Sequence, residues 1–151
     1  MKILKITKDQ FKELADTYDT HTDGMDWYLN IETGEIVMLR DFDVDDEEEE
    51  LNELVEEGFN MTYFRIPQRD SNEGYCDMVD FTETVQDAAL RLELCDILNG
   101  GRKIFRRFKD ELSSNKTELE RYYRYLESRN RDRILDWLEE INVQLALETE
   151  Q

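Results

Sequence analysis

The stretch Tyr75–Leu112, YCDMVDFTETVQDAALRLELCDILNGGRKIFRRFKDEL, decides the fold, because two helical patterns meet in it across Asn99, Gly100 and Gly101. Met78, Phe81, Val85, Ala88, Leu92 and Cys95 recur at alternating steps of three and four residues, which sets them on one face of an α-helix. Leu90, Leu94 and Ile97 form a second, shorter stripe, so a single central core helix packed on two sides is expected up to Asn99. The two glycines then supply a stop and a change of direction, since glycine enters the left-handed region of a helix C-cap without a Cβ clash. A second helix is expected from Arg102 to Leu112. Its core face is Ile104, Phe105, Phe108 and Leu112, and Arg102, Lys103, Arg106, Arg107 and Lys109 surround it with positive charge.

That basic segment is a local exception in a chain of 151 residues with a formal net charge of −19. Residues 1–75 carry most of the acidity. A field of this sign repels nucleic-acid phosphates and anionic membranes and attracts cations or basic proteins, so direct nucleic-acid binding and membrane binding are not expected. The hydrophobic fraction of 39% suffices for a core, and the length fits one domain spanning residues 1–151. No apolar run approaches the roughly 20 residues that span a bilayer. Met1-Lys2-Ile3-Leu4-Lys5 lacks the apolar core of a secretory signal, so a cytoplasmic location is expected. The residues set no oligomeric state. Cys76 and Cys95 have no CxxC neighbour, and Cys95 falls on the expected core stripe, which reads as packing rather than redox chemistry.

Outward from the central stretch, Thr7 is placed to cap a helix over Lys8–Tyr18. Trp27–Ile31 and Ile36–Leu39 read as a β-hairpin whose turn takes a positive φ at Gly34. Asp41–Glu57 contains no Lys or Arg, yet Leu51, Leu54 and Val55 are spaced for a helix face, so a solvated amphipathic helix ending at Gly58 is expected. Thr62–Ile66 has strand composition and stops at Pro67. Beyond the basic helix, Ser114 or Asn115 can cap a further helix with Leu119, Tyr122, Tyr123 and Leu126 on one face. Ile134, Trp137, Leu138 and Ile141 make another face. Ser128–Arg133 contains no apolar residue, so a kink or a break is expected there, with fraying from Leu147. Strands early and helices late argue for an α+β fold: a small antiparallel three-stranded sheet packed against helices, with a mostly helical C-terminal half.

Several segments then resemble one family. Tyr28–Val37 (YLNIETGEIV), Ile66-Pro67, Met78-Val79-Asp80-Phe81, Gly101–Lys109 (GRKIFRRFK) and Asp136-Trp137-Leu138-Glu139 are similar, in order and spacing, to the bacterial uncharacterised protein family 0158. Its hallmark is a glycine-basic-x-small-Phe-x-Arg-Phe-Lys segment after a Met-x-Asp-Phe helix. Ile104 stands here in the small position, and Tyr122-Tyr123 where the family carries a tryptophan. The resemblance supports the fold and brings no activity.

Two candidate sites follow from the residues. Gly101, Arg102, Lys103 and Arg106 surround a helix start, where unpaired N–H groups and a partial positive charge suit a phosphate or carboxylate, with Tyr122 or Tyr123 as a wall. The plainer alternative is a glycine turn whose cations pair with the chain's own carboxylates, since neither a P-loop nor a GxGxxG pattern is present. Asp41, Asp43, Asp45, Asp46, Glu47, Glu48, Glu49 and Glu50 form an acidic run suited to a basic protein partner. Asp41, Asp43 and Asp45 have the spacing of the first ligands of a calcium loop. The required glycine and glutamate are replaced by Asp46 and Asn52, and Asp19–Asn30 fails at its twelfth position, so no metal is expected. His21 is the only histidine and lacks partners for zinc. No cofactor motif or catalytic constellation appears. A non-enzymatic binding or regulatory module is therefore the leading expectation, and an anionic small-molecule site at the Gly101 helix start, with or without catalysis, is the alternative.

Overall fold

A computed structural model of the chain describes residues 1–20, 24–41 and 44–148. His21, part of the Asp19–Asn30 loop, and Asp43 lie outside the described residues. The chain forms two compact units, Met1–Gln68 with Asn130–Gln151, and Arg69–Arg129.

In the first unit, β1 (Lys2–Thr7) runs directly into α1 (Lys8–Tyr18). Thr7 makes the junction because its hydroxyl accepts from Gln10 N at 3.1 Å while its own N–H donates to Gln10 Oε1 at 2.8 Å, a reciprocal cap that satisfies two helix-end groups. The helix has the expected bounds. β2 (Met25–Asn30) and β3 (Ile36–Arg40) form the expected hairpin, and β4 (Tyr63–Arg65) joins β2, giving an antiparallel sheet of order β3-β2-β4. Asn30 Oδ1 accepts from Glu32 N and Thr33 N, and Gly34 takes φ +82°, so the turn is built from side-chain chemistry legible in the sequence. A Cβ at Gly34 would also collide with Ile6. Between β3 and β4 lies α2 (Asp46–Glu57).

A parallel pair was not expected. β5 (Val143–Glu148) lies beside β1 in the register Leu4↔Leu145 and Ile6↔Leu147. Leu147 is thus strand-paired, not frayed. Its partner strand sits at the other end of the chain, and neither segment alternates cleanly enough to announce the pairing. Leu4, Ile6, Leu14, Leu29, Ile66, Ile134, Leu138 and Val143 form this unit's core.

In the second unit the single central helix becomes two, α3 (Ser71–Glu83) and α4 (Ala88–Leu98). Thr84 closes α3, with its N–H and hydroxyl both donating to Phe81 O at 2.9 and 2.6 Å. Asp87 opens α4 by accepting from Ala89 N and Leu90 N. The interruption resets the helical phase. Leu90, Leu94, Ile97 and Leu98 face the core, whereas Ala88 and Leu92 are exposed and Cys95 is only partly buried.

The basic helix α5 spans Ile104–Leu112, two residues shorter than expected, because Lys103 takes a left-handed φ of 57° after Gly100 (φ 144°) and Gly101 (φ 109°). Phe108 and Leu112 are buried as expected. Phe105 is not: it is half-exposed, its ring laid over Gly74, where a Cβ would approach Phe105 Cε1 to 3.0 Å. Asn115 caps α6 (Lys116–Glu140), accepting from Glu118 N at 3.2 Å. The helix continues unbroken through Ser128–Arg133, because its polar residues there are held. Arg129 is bound by carboxylates of α3, Asn130 is buried, and Arg133 lies over the Tyr18 ring. The α+β class with a helical C-terminal half holds. Among the described residues no helix is long and apolar enough to cross a membrane.

Candidate functional site

The acidic run is mostly helix. Asp41 is exposed ahead of it, and Asp45 is the N-cap of α2, accepting from Glu48 N at 2.8 Å. Asp46, Glu47, Glu48 and Glu49 fill the first turn, where the unpaired N–H groups of a helix start favour negative charge. Part of this acidity therefore supports the helix itself. Glu48 accepts from Arg40 of β3 through both carboxylate oxygens, which fastens α2 to the sheet. Glu50, Glu53, Glu56 and Glu57 lie beyond the first turn and are exposed, and the last turn contains no basic residue.

The end of α2 also displays apolar surface. Val55 is buried, but Leu54 is 50% exposed, Phe59 49% and Met61 75%. Phe59 meets Tyr28 of β2 edge-to-face with ring centroids 6.4 Å apart. Burial raises the Tyr28 pKa; the charge of Asp26 adds to this, Arg65 opposes it and Glu56 of α2 adds further. Phe59 follows the end of α2 at Glu57 by two residues and sets its ring against Tyr28, so the acidic helix end adjoins the aromatic pair. Carboxylates border an apolar centre there.

The other candidate group is spread differently. Gly101, Arg102, Lys103 and Arg106 are all exposed around the start of α5, which has no side-chain cap. Arg107, which the sequence places in the basic segment but not in the candidate group, donates to Gly100 O at 3.3 Å and Arg102 O at 3.4 Å, placing its guanidinium inside the turn. Arg106 reaches Asp110 at 4.0 Å. Tyr122 is no wall for this group, being buried between Phe81 and Phe108, whereas Tyr123 is exposed and lies under Lys109 Nζ at 5.6 Å.

Two polar constellations in the second unit were missed by sequence reasoning. Asp77 is completely buried, with Arg129 Nε 3.0 Å from one oxygen and Arg69 Nη1 3.4 Å from the other. Arg129 also donates to Asp80 and to the Tyr125 hydroxyl, both at 2.6 Å, and its pKa is raised by these bonds. A buried carboxylate so paired ties α3 to α6, because removing Arg129 leaves Asp77 buried with the longer contact to Arg69. Elsewhere a depression of about 380 Å³ is lined by Thr84, Gln86, Asp87, Asn115, Glu118 and Arg121. Thr84, Glu118 and Arg121 are engaged with one another. Arg121 grips Glu118 through two nitrogens at 2.9 and 2.8 Å, donates to Thr84 Oγ1 at 2.8 Å and lies 4.4 Å from the Phe81 ring centre, while Asp87 and Asn115 cap helices. The links of Arg129 to Asp77 and Asp80 and of Arg121 to Thr84 join positions far apart in the chain, so the sequence gives only their residue types. Among the described residues no three His, Cys, Asp or Glu side chains converge as a metal site.

The comparisons agree with the resemblance. This α+β chain belongs to the uncharacterised protein family UPF0158, whose profile matches residues 5–151. It is 31% identical over 134 residues to the UPF0158 protein PA5073 of Pseudomonas aeruginosa, an alignment covering 89% of this chain and 83% of that protein. No solved structure matches it.

Proposed function

We propose that this chain is a non-enzymatic cytoplasmic binding module that contacts a basic protein partner through the exposed carboxylates of α2. The observation that carries the proposal is the distribution of charge along that helix. Glutamates at its start are favourable to the helix, but Glu56 and Glu57 lie in the last turn, where the dipole disfavours negative charge, with Glu53 one turn before them. Helix stability does not account for them, and attraction of a cationic surface does. The test is a pull-down from cell extract at low and high salt, comparing wild type with a Glu53→Gln, Glu56→Gln, Glu57→Gln variant. A partner retained at low salt by wild type, and lost at high salt and in the variant, is expected. A wild type that retains nothing at either salt removes the proposal.

One observation favours the second reading, an anionic small molecule at α5: the helix starts without a side-chain cap and with Arg102 and Lys103 exposed beside it. In that case millimolar phosphate raises the Tm of wild type by mass action but not that of Arg102→Gln, with the two melting alike in plain buffer. Equal melting with and without phosphate in wild type excludes phosphate at this place.

A further inference from the structure

Resting on the protein-binding proposal above, we infer that the partner segment is amphipathic as well as basic, its apolar side anchored on Leu54, Phe59 and Met61 with Tyr28 at the edge. The turn after α2 explains Gly58 and Asn60, Phe59 is explained in part by its contact with Tyr28, and Met61 is left unexplained. Gly58 O accepts from Met61 N, Thr62 N and Tyr63 N at 2.8–3.0 Å, and Asn60 N donates to Tyr63 O at 2.9 Å. Gly58 is required because a Cβ there would stand 2.9 Å from Tyr63 Cδ2, and Asn60 suits its φ of 60° because asparagine tolerates the left-handed region. Nothing in this geometry asks for an apolar side chain at position 61, and at position 59 the contact with Tyr28 still leaves half of the ring exposed. Polar residues would form the same turn and leave less apolar surface in water.

Charge complementarity decides the occupant. The apolar residues are flanked by Glu53, Glu56 and Glu57 of α2, while on the β2 side Asp26 is paired with Arg65 at 2.7 Å, so among the described residues the unpaired negative charge lies on the α2 side. A surface with an apolar centre and a carboxylate rim is matched by a segment with an apolar stripe bordered by Lys and Arg. Phospholipid and nucleic-acid surfaces carry the wrong sign. The two parts of the face divide the work: carboxylates accelerate encounter in a salt-dependent way, and the apolar anchors slow release. Methionine suits the second task, since its flexible thioether side chain conforms to varied apolar shapes.

The probes are two fluorescent peptides of identical Leu and Lys composition, one ordered to be amphipathic as a helix and one scrambled, titrated with the full chain at low and high salt. Wild type is expected to bind the amphipathic peptide about tenfold more tightly than its isomer, the effect of one or two half-buried anchors. In the Phe59→Ser, Met61→Ser variant that preference disappears while the salt sensitivity of both peptides persists. Equal affinity of wild type for the two isomers overturns the apolar anchor and leaves the acidic contact standing, and this comparison needs no variant to fold. Binding of neither peptide at low salt overturns both. Light scattering covers the remaining occupant: a dimer of the chain that Phe59→Ser and Met61→Ser dissolve would assign the face to a second copy and overturn the inference.

Discussion

Glu118 shows how a single carboxylate among 38 acidic residues acquires a definite role. It sits in the first turn of α6, partly buried, and its pKa is lowered below the ordinary value of 4.5 first by the hydrogen bonds from Arg121, with burial opposing and the Arg121 charge assisting. Because the folded-state pKa is depressed, the stability it contributes is present above pH 4.5 and is lost as the pH falls through the folded value. Glu118→Gln should therefore lower stability at neutral pH by about 1 kcal/mol or less, a partly exposed pair. The deficit relative to wild type should shrink below pH 4.5 in denaturant titrations. A deficit independent of pH would mean that lost packing, not charge, matters at this position. The i,i+3 spacing of Glu118 and Arg121 is a local helix pattern, but Thr84 is joined to them only by the fold. Gly34 is the opposite case: a glycine between two strand patterns announces its positive φ from the sequence alone.

Helices that carry their own start signals were readable, and those defined by a subtle interruption were not. Thr7 announced α1 over Lys8–Tyr18, and Leu51, Leu54, Val55 and Gly58 announced the body and end of α2, whereas its Asp45 cap emerged only from the structure. Across Thr84–Asp87 the apolar spacing Phe81, Val85, Ala88 satisfies helical periodicity, so period alone could not separate α3 from α4. The deciding group was Asp87, an ordinary exposed residue in a continuous helix but a cap in a broken one. Its substitution distinguishes the two. In a continuous helix Asp87→Ala would be neutral or stabilising, alanine being the better helix former. As the cap of α4 it should cost about 0.5–2 kcal/mol, read from urea unfolding of the single variant. The unbroken α6 illustrates the converse error. Six polar residues suggested a break, but helix propensity there is ordinary, and the partners of Arg129 and the burial of Asn130 could only be seen in three dimensions. Likewise the acidic α2 and the basic start of α5 were evident as charge, whereas the exposure of Phe59 and Met61 and of half of Phe105 was not.

At the scale of the whole molecule, the parallel pair of β1 and β5 brings residues from the two ends of the chain into one unit, a long-range pairing that local patterns do not encode. Composition, by contrast, was legible in full, and its energetic consequence follows from the structure. A net charge of −19 on a small folded chain repels itself, and the compact state suffers more than the unfolded one because its carboxylates lie closer together. Added sodium chloride screens that repulsion over about 10 Å at 0.1 M, so the Tm should rise with salt, by about 2–4 °C for each kcal/mol relieved. Where on the molecule the repulsion is generated can be separated by Glu56→Gln with Glu57→Gln, which removes charge from the disfavoured end of α2 without touching its cap or the Arg40–Glu48 link. That variant should melt higher than wild type at low salt and respond less to added salt. If it melts lower, the glutamates at the end of α2 are stabilising in the isolated chain, and attraction of a cationic partner is no longer needed to account for them.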